Sequence, residues 1–262
     1  MAAGALVLAA SVALATLSGC SLLVDPEPAQ ADPAPTASAS PTPSPTRVPP
    51  PELDKGMIVA TGQLVGDPLI SGKVDVRVTG TGTFELRLLD FRSAREGDVE
   101  LRFSPHVVEP GAKCTTSIMN VSYGNLPPGT HHDFPIMRDF THGDPSFLDT
   151  VIISHYDPAA FERGCYVPVL ASAILTWTLP DMRPGLLVVD SGRTGGANGD
   201  VAWSGGAPLT YTVAADDLAG EVAARFGITT SDLFYLNPTR TSFVPYPLLQ
   251  FGEVLNLSKE HR

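Results

Sequence analysis

Basic residues are scarce in this chain of 262 residues. Lysine and arginine number 17 against 28 aspartates and glutamates, so the formal net charge at pH 7 is −11. The acidic residues are spread along the chain and form no block. Because nucleic acids and anionic membrane surfaces are bound by basic patches, this balance argues against both as electrostatic partners.

The sequence also lacks the motifs of the common catalytic sites. It contains no GxSxG elbow, no GxxxxGK[ST] phosphate loop and no Rossmann glycine set after a strand. The glycines of residues 191–196 lie in a glycine-rich segment, residues 183–207, which we interpret as a linker. These absences predict a protein that is not an enzyme and needs no cofactor.

A recognisable metal-ligand spacing is missing as well. The candidate ligands are the histidines and carboxylates His131, His132, Asp133, His142, Asp144 and His155. They show no HExxH or comparable spacing, and neighbouring histidines in a strand point to opposite faces. A polar surface loop explains them better than a zinc or copper site, so we predict no metal.

The N-terminal apolar run is short. Residues 5–17 are small or apolar and uncharged, a length typical of a secretory h-region and too short to span a bilayer. They lead into Leu17-Ser18-Gly19-Cys20, which resembles the bacterial lipobox. The resemblance implies that a signal peptide, residues 1–19, is removed and that Cys20 carries diacylglycerol, so the chain is extracytoplasmic and lipid-anchored to the cell membrane. No Lys or Arg precedes the run, and an uncleaved anchor that extends through Val24 is the alternative.

Large apolar residues are scarce in the next segment. Residues 20–55 are rich in Pro, Ala, Ser and Thr, and such a segment cannot bury enough surface to offset the entropy lost on ordering. Prolines favour an extended chain of about 3 Å per residue. We therefore predict a disordered linker that separates the folded part from the membrane.

Cysteine is scarce too, with three in the whole chain. Once Cys20 is lipidated, Cys114 and Cys165 remain to form one disulfide in an extracytoplasmic setting. Their spacing matches no CxxC motif, so we favour a structural bridge over a reactive or metal-bound thiol pair.

Residues 56–182 carry the alternating pattern of half-buried strands. Apolar residues occupy every second position in three stretches: Val74, Val76 and Val78; Phe84, Leu86 and Leu88; Val99, Leu101 and Phe103. Residues 150–153 and 167–177 have the composition of more deeply buried strands. Short strands with turn signals and little helical periodicity predict an antiparallel β-sandwich.

Part of this region resembles the DM13 domain, a β-sandwich found in secreted proteins. The resemblance rests on residues 71–74, 84–91 and 97–103, with the hydrophobic strand of residues 151–153 following later. That family has been proposed to act in redox chemistry through a cysteine just after the last hydrophobic strand, where this chain has Ser154 and His155. We carry over the fold alone.

Residues 209–258 have a different pattern. Tyr211 and Val213 share one face of a short strand, while apolar residues then recur at helical spacing and Pro238 ends the second helical stretch. The predicted order is strand, helix, helix, strand. The first strand contains Tyr211 and Val213, and the last strand is residues 254–257. The first helix rests on Leu218, Val222, Phe226 and Gly227, and the second on Thr229, Asp232, Leu233 and Leu236.

This order resembles the LysM domain, a small βααβ module, in residues 211–213, 223–227, 232–233, 236–238 and 252–255. The resemblance implies non-catalytic binding of glycans that contain N-acetylglucosamine, above all peptidoglycan. It places a glycan groove between loops 214–218 and 238–250, with the site residues Ala215, Asp216, Asp217, Leu218, Asn237 and Pro238. The family's first loop usually has Gly-Asp and then Ser or Thr, and this chain lacks that glycine and that hydroxyl residue.

The sequence thus predicts a mainly β surface lipoprotein, with a sandwich at residues 56–182 and a LysM-like module at residues 208–262 that binds peptidoglycan. Two alternatives stay open at this point. One is redox or metal chemistry in the sandwich. The other is a protein-interaction scaffold, in which a degenerate module binds a cell-envelope protein.

Overall fold

The computed structural model of the chain describes residues 48–95, 98–116, 121–240 and 248–262. The predicted signal peptide, the lipidation residue Cys20 and the predicted linker as far as residue 47 lie outside the described residues. All the described residues belong to one compact unit, Ser44–Arg262. Within them, no helix is both long and apolar enough to cross a membrane.

The chain is mainly β, with antiparallel sheets, as the sequence predicted. The strands are β1 (Ile58–Gln63), β2 (Val65–Gly66), β3 (Ile70–Gly80), β4 (Thr83–Ser93), β5 (Glu100–Ser104), β6 (Cys114–Thr115), β7 (Val121–Asn125), β8 (His131–Ile136), β9 (Thr150–Ser154), β10 (Val167–Ile174), β11 (Thr176–Trp177), β12 (Asp200–Ser204), β13 (Ala207–Thr212) and β14 (Val254–Asn256). The helices are α1 (Arg138–Thr141), α2 (Pro158–Glu162), α3 (Ala219–Arg225) and α4 (Thr230–Tyr235), followed by a 3-10 turn at Lys259–His261.

Two sheets enclose the main core. The first has the strand order β11-β1-β3-β4-β8, and the second has the order β2-β10-β9-β5-β7 with β6 also paired to β10. Apolar residues from both sheets form one buried cluster. β3, β4 and β5 contribute the predicted alternating positions, and β9, predicted as a buried strand, contributes Val151 and Ile153. Two antiparallel sheets with a shared core are consistent with the predicted β-sandwich.

The β3–β4 hairpin shows how the sequence forms this core. Val76 pairs with Leu86 and Val74 pairs with Leu88, and all four side chains are buried. On the opposite face, Asp75 accepts two hydrogen bonds from Arg87, at 2.6 and 2.5 Å. The alternating pattern predicted Asp75 as exposed, yet it is buried because its charge is neutralised across the strands.

The stretch 167–177, predicted as one strand, is two strands in different sheets. β10 pairs with β9 in the second sheet, whereas β11 pairs with β1 in the first. Leu175 lies between them and donates its backbone N–H to the Asp149 carbonyl at 2.8 Å. The chain therefore crosses the core here, which a continuous apolar run in the sequence does not reveal.

The predicted disulfide between Cys114 and Cys165 is present, with the two Cα atoms 5.6 Å apart. Cys114 lies in β6, and Cys165 follows α2 just before β10. The bridge closes a loop with a sequence separation of 51. Beside it, a small second cluster of Val108, Ile152, Val167 and Val169 covers the outer side of the second sheet.

A third sheet, with the order β12-β13-β14, packs against α3 and α4. Its core contains Tyr211, Val222, Phe226, Leu233 and Leu255, so the chain follows the predicted order of strand, helix, helix and strand. Pro238 follows the end of α4, as predicted. We refer to residues 188–262 as the α/β module.

The glycine-rich segment 183–207 is not the linker that its composition suggested. It contributes β12 to the third sheet and places Ala197 in the buried core of the α/β module. A Cβ atom on Gly199 would lie 2.1 Å from the Thr212 carbonyl oxygen, so glycine is required there for close packing rather than for flexibility.

The α/β module is docked on the sandwich through buried charged groups. Arg262 donates to the Asp144 carboxylate at 3.0 Å, to the Asp144 carbonyl at 2.7 Å and to the Tyr235 carbonyl at 2.9 Å. The Arg262 and Asp144 side chains are 8% and 5% exposed. Arg183 forms a second ion pair with Asp232, at 3.2 Å. These contacts fix the position of the module relative to the sandwich.

Candidate functional site

The two predicted groove loops meet at one edge of the α/β module. The first loop runs from β13 to α3, and the second loop, described at residues 238–240 and 248–253, runs from α4 to β14. Val213 donates its backbone N–H to the Glu253 carbonyl at 2.8 Å, and Gly252 donates to the Val213 carbonyl at 2.9 Å. These two bonds hold the loops side by side, and we refer to the surface they form as the candidate groove.

Asp217, predicted to contact glycan, points into the protein. It is 7% exposed, and its carboxylate accepts hydrogen bonds from the Asn198 N–H at 2.8 Å, the Ala214 N–H at 2.7 Å and the Tyr211 hydroxyl at 2.5 Å. Burial would raise the pKa of Asp217, but these hydrogen bonds hold it below its ordinary value. Burial, together with the hydrogen bond to Asp217, raises the pKa of Tyr211 to about 12. Asp217 therefore shapes the loop rather than facing a ligand.

Asp216 and Ala215 form the exposed tip of the same loop. Asp216 has a φ of +63°, in the left-handed region that favours glycine. This is the position where the LysM family usually has glycine. Aspartate tolerates this conformation better than most residues, so the turn survives at some cost in backbone strain.

Leu218 lies on the rim of the candidate groove and not in the helix core. The sequence grouped it with Val222 and Phe226 on one apolar stripe, but Leu218 has extended backbone at the N-terminal end of α3 and is 57% exposed. Its N–H donates to the Gly196 carbonyl at 2.8 Å. The helix begins at Ala219, one residue later than the stripe requires, and this turns the Leu218 side chain outward.

Asn237 has a structural role similar to that of Asp217. Its side-chain amide donates to the Leu233 carbonyl at 2.8 Å and to the Asn256 carbonyl at 2.9 Å, and its side-chain oxygen accepts from the Asn256 N–H at 2.7 Å. It therefore ties the end of α4 to β14, and its polar atoms are occupied. Pro238 is only partly exposed beside it. The partner Asn256 had no distinguishing signal in the sequence.

Exposed apolar side chains on and next to the second loop were missed by the sequence analysis. Phe251 is 81% exposed, Leu248 on the same loop is exposed, and so is Val254 at the start of β14. Arg240 holds this loop by donating to Glu253 at 2.5 Å and to the Leu248 carbonyl at 2.7 Å. The sequence does carry a signal for this exposure, because an aromatic residue stands between Gln250 and Gly252 in a turn. A side chain in a turn has no core to pack against.

A buried ion pair supports the loops from below. Arg225 donates to Asp190 at 2.7 and 2.9 Å and also donates to the Ala197 and Gly199 carbonyls, each at 2.9 Å. The hydrogen bonds from Arg225 keep the pKa of Asp190 below its usual value. Because Arg225 fixes the backbone on both sides of Asn198, it also fixes the Asn198 N–H, which donates to the Asp217 carboxylate.

The histidine-rich stretch forms no metal centre. His131 is exposed and pairs with Asp133 at 2.9 Å, whereas His132 is buried and lies 3.2 Å from the Gly129 carbonyl. His142 stacks on Phe234 at the junction of sandwich and module. Burial, with the charges of Arg183 and Arg262, lowers the pKa of His142. Across the part of the chain that the structure describes, no three His, Cys, Asp or Glu residues are grouped to hold a metal ion.

Comparison of the chain with protein-family models, with curated proteins and with solved structures found no match. The function therefore has to be argued from the site itself.

Proposed function

We propose that this protein is a surface lipoprotein, anchored to the cell membrane through Cys20, whose α/β module binds peptidoglycan or a related glycan with N-acetylglucosamine. The observation that carries the proposal is the candidate groove, where two loops held by backbone hydrogen bonds leave apolar side chains exposed. Its polar residues that point inward, Asp217 and Asn237, give the groove a fixed shape.

The exposed groups suit a sugar ring. Leu218 and Phe251 provide apolar surface that can pack on the C–H face of a pyranose, and the exposed backbone near Ala215 can hydrogen-bond an acetamido group. The hydrogen bonds of Asp217 and Asn237 hold the described part of the site in place, which limits the conformational entropy that it loses on binding. No nucleophile paired with a base lies among the groove residues described above, so we propose binding without catalysis.

A pull-down on insoluble peptidoglycan tests the proposal. Residues 21–262 should be retained, and Phe251→Ala should reduce the affinity roughly fivefold to tenfold, as expected when a contact of about 1–1.5 kcal/mol is lost. Tyr156→Ala is the matched control, because Tyr156 is an aromatic residue of the sandwich with the same exposure, 80% against 81% for Phe251. Tyr156→Ala should bind like the unchanged protein.

Two results would count against the proposal. Absence of retention of the unchanged protein would reject glycan binding altogether. Retention that Phe251→Ala and Leu218→Ala both leave intact would place the glycan elsewhere on the molecule.

A protein ligand is the second candidate for the same surface. It is favoured by the exposed apolar side chains of Leu248, Phe251 and Val254, which lie close together along the chain. Exposed apolar patches of this kind often mark protein interfaces. Co-purification of a cell-envelope protein that Val254→Asp abolishes, without any retention on glycan, would support this alternative.

A further inference from the structure

A cavity of about 370 Å³ lies on the sandwich beside the disulfide, and none of its lining residues belongs to the candidate groove. Three basic side chains line it: Arg95, Lys113 and Arg163. In a chain with 17 basic residues and a net charge of −11, this grouping of basic side chains is unexpected. Its volume falls within the range of small-molecule sites.

The two carboxylates in the wall of the cavity are already used by the fold. Asp67 accepts from the Leu69 N–H at 2.9 Å and from Arg95 at 3.1 Å. Asp157 accepts from the Ala160 N–H at 3.1 Å and so caps α2. Asp67 is therefore paired with Arg95, and Asp157 forms only a long ion pair with Arg163, at 4.0 Å.

The remaining polar groups have unsatisfied bonding capacity. Lys113 forms no ion pair with any described residue, although its carbonyl accepts from the Val169 N–H at 3.0 Å, which fixes its backbone. The nearest carboxylate oxygen to Arg163 is that of Asp157 at 4.0 Å, which is beyond hydrogen-bonding distance. His155 also lines the cavity, and its buried Nδ1 atom has no hydrogen-bond partner among the described residues.

The rest of the wall is apolar. It consists of the Cys114–Cys165 disulfide, Pro168 and the buried residues Ala160, Val169 and Leu170. A cationic rim above an apolar floor is complementary to a molecule with an anionic end and a hydrocarbon body. An inorganic anion would use the rim and gain nothing from the floor.

We propose that this cavity binds a small organic carboxylate, whose carboxylate group faces Lys113 and Arg163 and whose hydrocarbon part lies on the disulfide. Hydrogen bonds from ionised donors to a carboxylate are the stronger ones in proteins, and the apolar floor removes hydrocarbon surface from water. This site is independent of glycan binding and belongs to the sandwich.

Titration of residues 21–262 with hexanoate, followed by amide chemical shifts in NMR, tests the proposal. Saturable shifts are expected at His155, Cys165 and Val169, and the Lys113→Gln/Arg163→Gln double variant should bind about tenfold more weakly. Arg193→Gln is the matched control, because Arg193 is an exposed arginine of the α/β module. Hexan-1-ol, which lacks the charge, should cause no saturable shift at these residues.

Three outcomes would overturn the proposal. The first is the absence of saturable shifts with hexanoate at millimolar concentration. The second is equal affinity in the double variant while its amide spectrum shows a folded protein. The third is that inorganic phosphate produces the same shifts at lower concentrations than hexanoate, which would reassign the cavity to inorganic anions.

Discussion

Replacement of Arg262 by alanine should uncouple the α/β module from the sandwich. The Arg262 guanidinium connects Asp144 and Ser146 of the sandwich to Tyr235 of the module, with hydrogen bonds of 2.7 to 3.0 Å. Its carbon Cζ also lies 4.2 Å from the centre of the Tyr235 ring. One side chain therefore joins the two parts through four hydrogen bonds.

The expected loss of unfolding free energy in Arg262→Ala follows from the burial of the Asp144 carboxylate. The Asp144 carboxylate is 5% exposed, and without Arg262 it keeps only the Ser146 N–H, at 2.9 Å, among the contacts described here. Removing one partner of a buried ion pair costs about 3–5 kcal/mol, because the remaining charge stays desolvated. Water entering the space left by the side chain will reduce this, so we expect about 3 kcal/mol.

The two tryptophans give separate probes of the two parts. Trp177 lies in β11 of the sandwich and donates to the Leu148 carbonyl at 2.9 Å, while Trp203 lies in β12 of the module. Urea unfolding followed by fluorescence in Trp203→Phe and Trp177→Phe backgrounds therefore reports each part. We expect coincident midpoints in the presence of Arg262. With Arg262→Ala, the module should unfold at a lower urea concentration than the sandwich.

The control is Arg193→Ala, which removes the exposed ion pair with Asp200. Exposed pairs contribute about 0–1 kcal/mol, so neither midpoint should move appreciably. Coincident and unshifted midpoints in Arg262→Ala would refute the reasoning, because they would show that the buried pair does not couple the two parts.

Three further predictions follow from the described contacts. Cys114→Ser with Cys165→Ser should lower the unfolding free energy by about 4 kcal/mol, as measured in urea, because the bridge closes a loop with a sequence separation of 51. Asp217→Asn should lower stability at pH 7. The pKa of Asp217 is lower in the folded protein than its unfolded value of about 3.9. Its contribution to the unfolding free energy is therefore present above the unfolded pKa and is lost as the pH falls through the folded pKa. The unfolding free energy of the variant should accordingly change less with pH in acid. Asp216→Gly should raise the unfolding free energy by up to about 1 kcal/mol and Asp216→Val should lower it, because the φ of residue 216 is +63°.

Local patterns in the sequence predicted β3, β4, β5, β9 and β10 of the sandwich and β13, α3, α4 and β14 of the module. The alternation of Val74, Val76 and Val78 produced a buried strand face, and Thr229 with Asp232 forms the expected capping box at the start of α4. Gly227 follows the helix α3 with a φ of +69°, as a helix C-terminus requires. These features depend on neighbours within a few residues, which the sequence displays directly.

Features that depend on distant residues were not predictable in the same way. The sequence predicts Asp217 as a ligand contact because it does not show the hydrogen bonds from Asn198 and Tyr211, and its composition predicts that the segment containing Asn198 is a linker. Glycine content indicated flexibility, whereas Gly199 is required by the close approach of two strands. Composition alone cannot separate these two uses of glycine.

Docking of the module on the sandwich leaves fewer segments that could set the distance between the candidate groove and a membrane to which the chain is anchored. The sequence predicted two flexible segments, but residues 183–207 are folded, Leu53 packs on the sandwich core, and Val48 lies against Gly185. If Cys20 carries the lipid, as the lipobox resemblance implies, residues 20–47 connect the lipid to the described part of the chain. An extended segment of that length, at about 3 Å per residue, would span on the order of 90 Å. If the groove also binds glycan, as proposed, its effective concentration at the glycan depends on that one segment. Shortening the segment should then alter binding in the cell without affecting binding in solution.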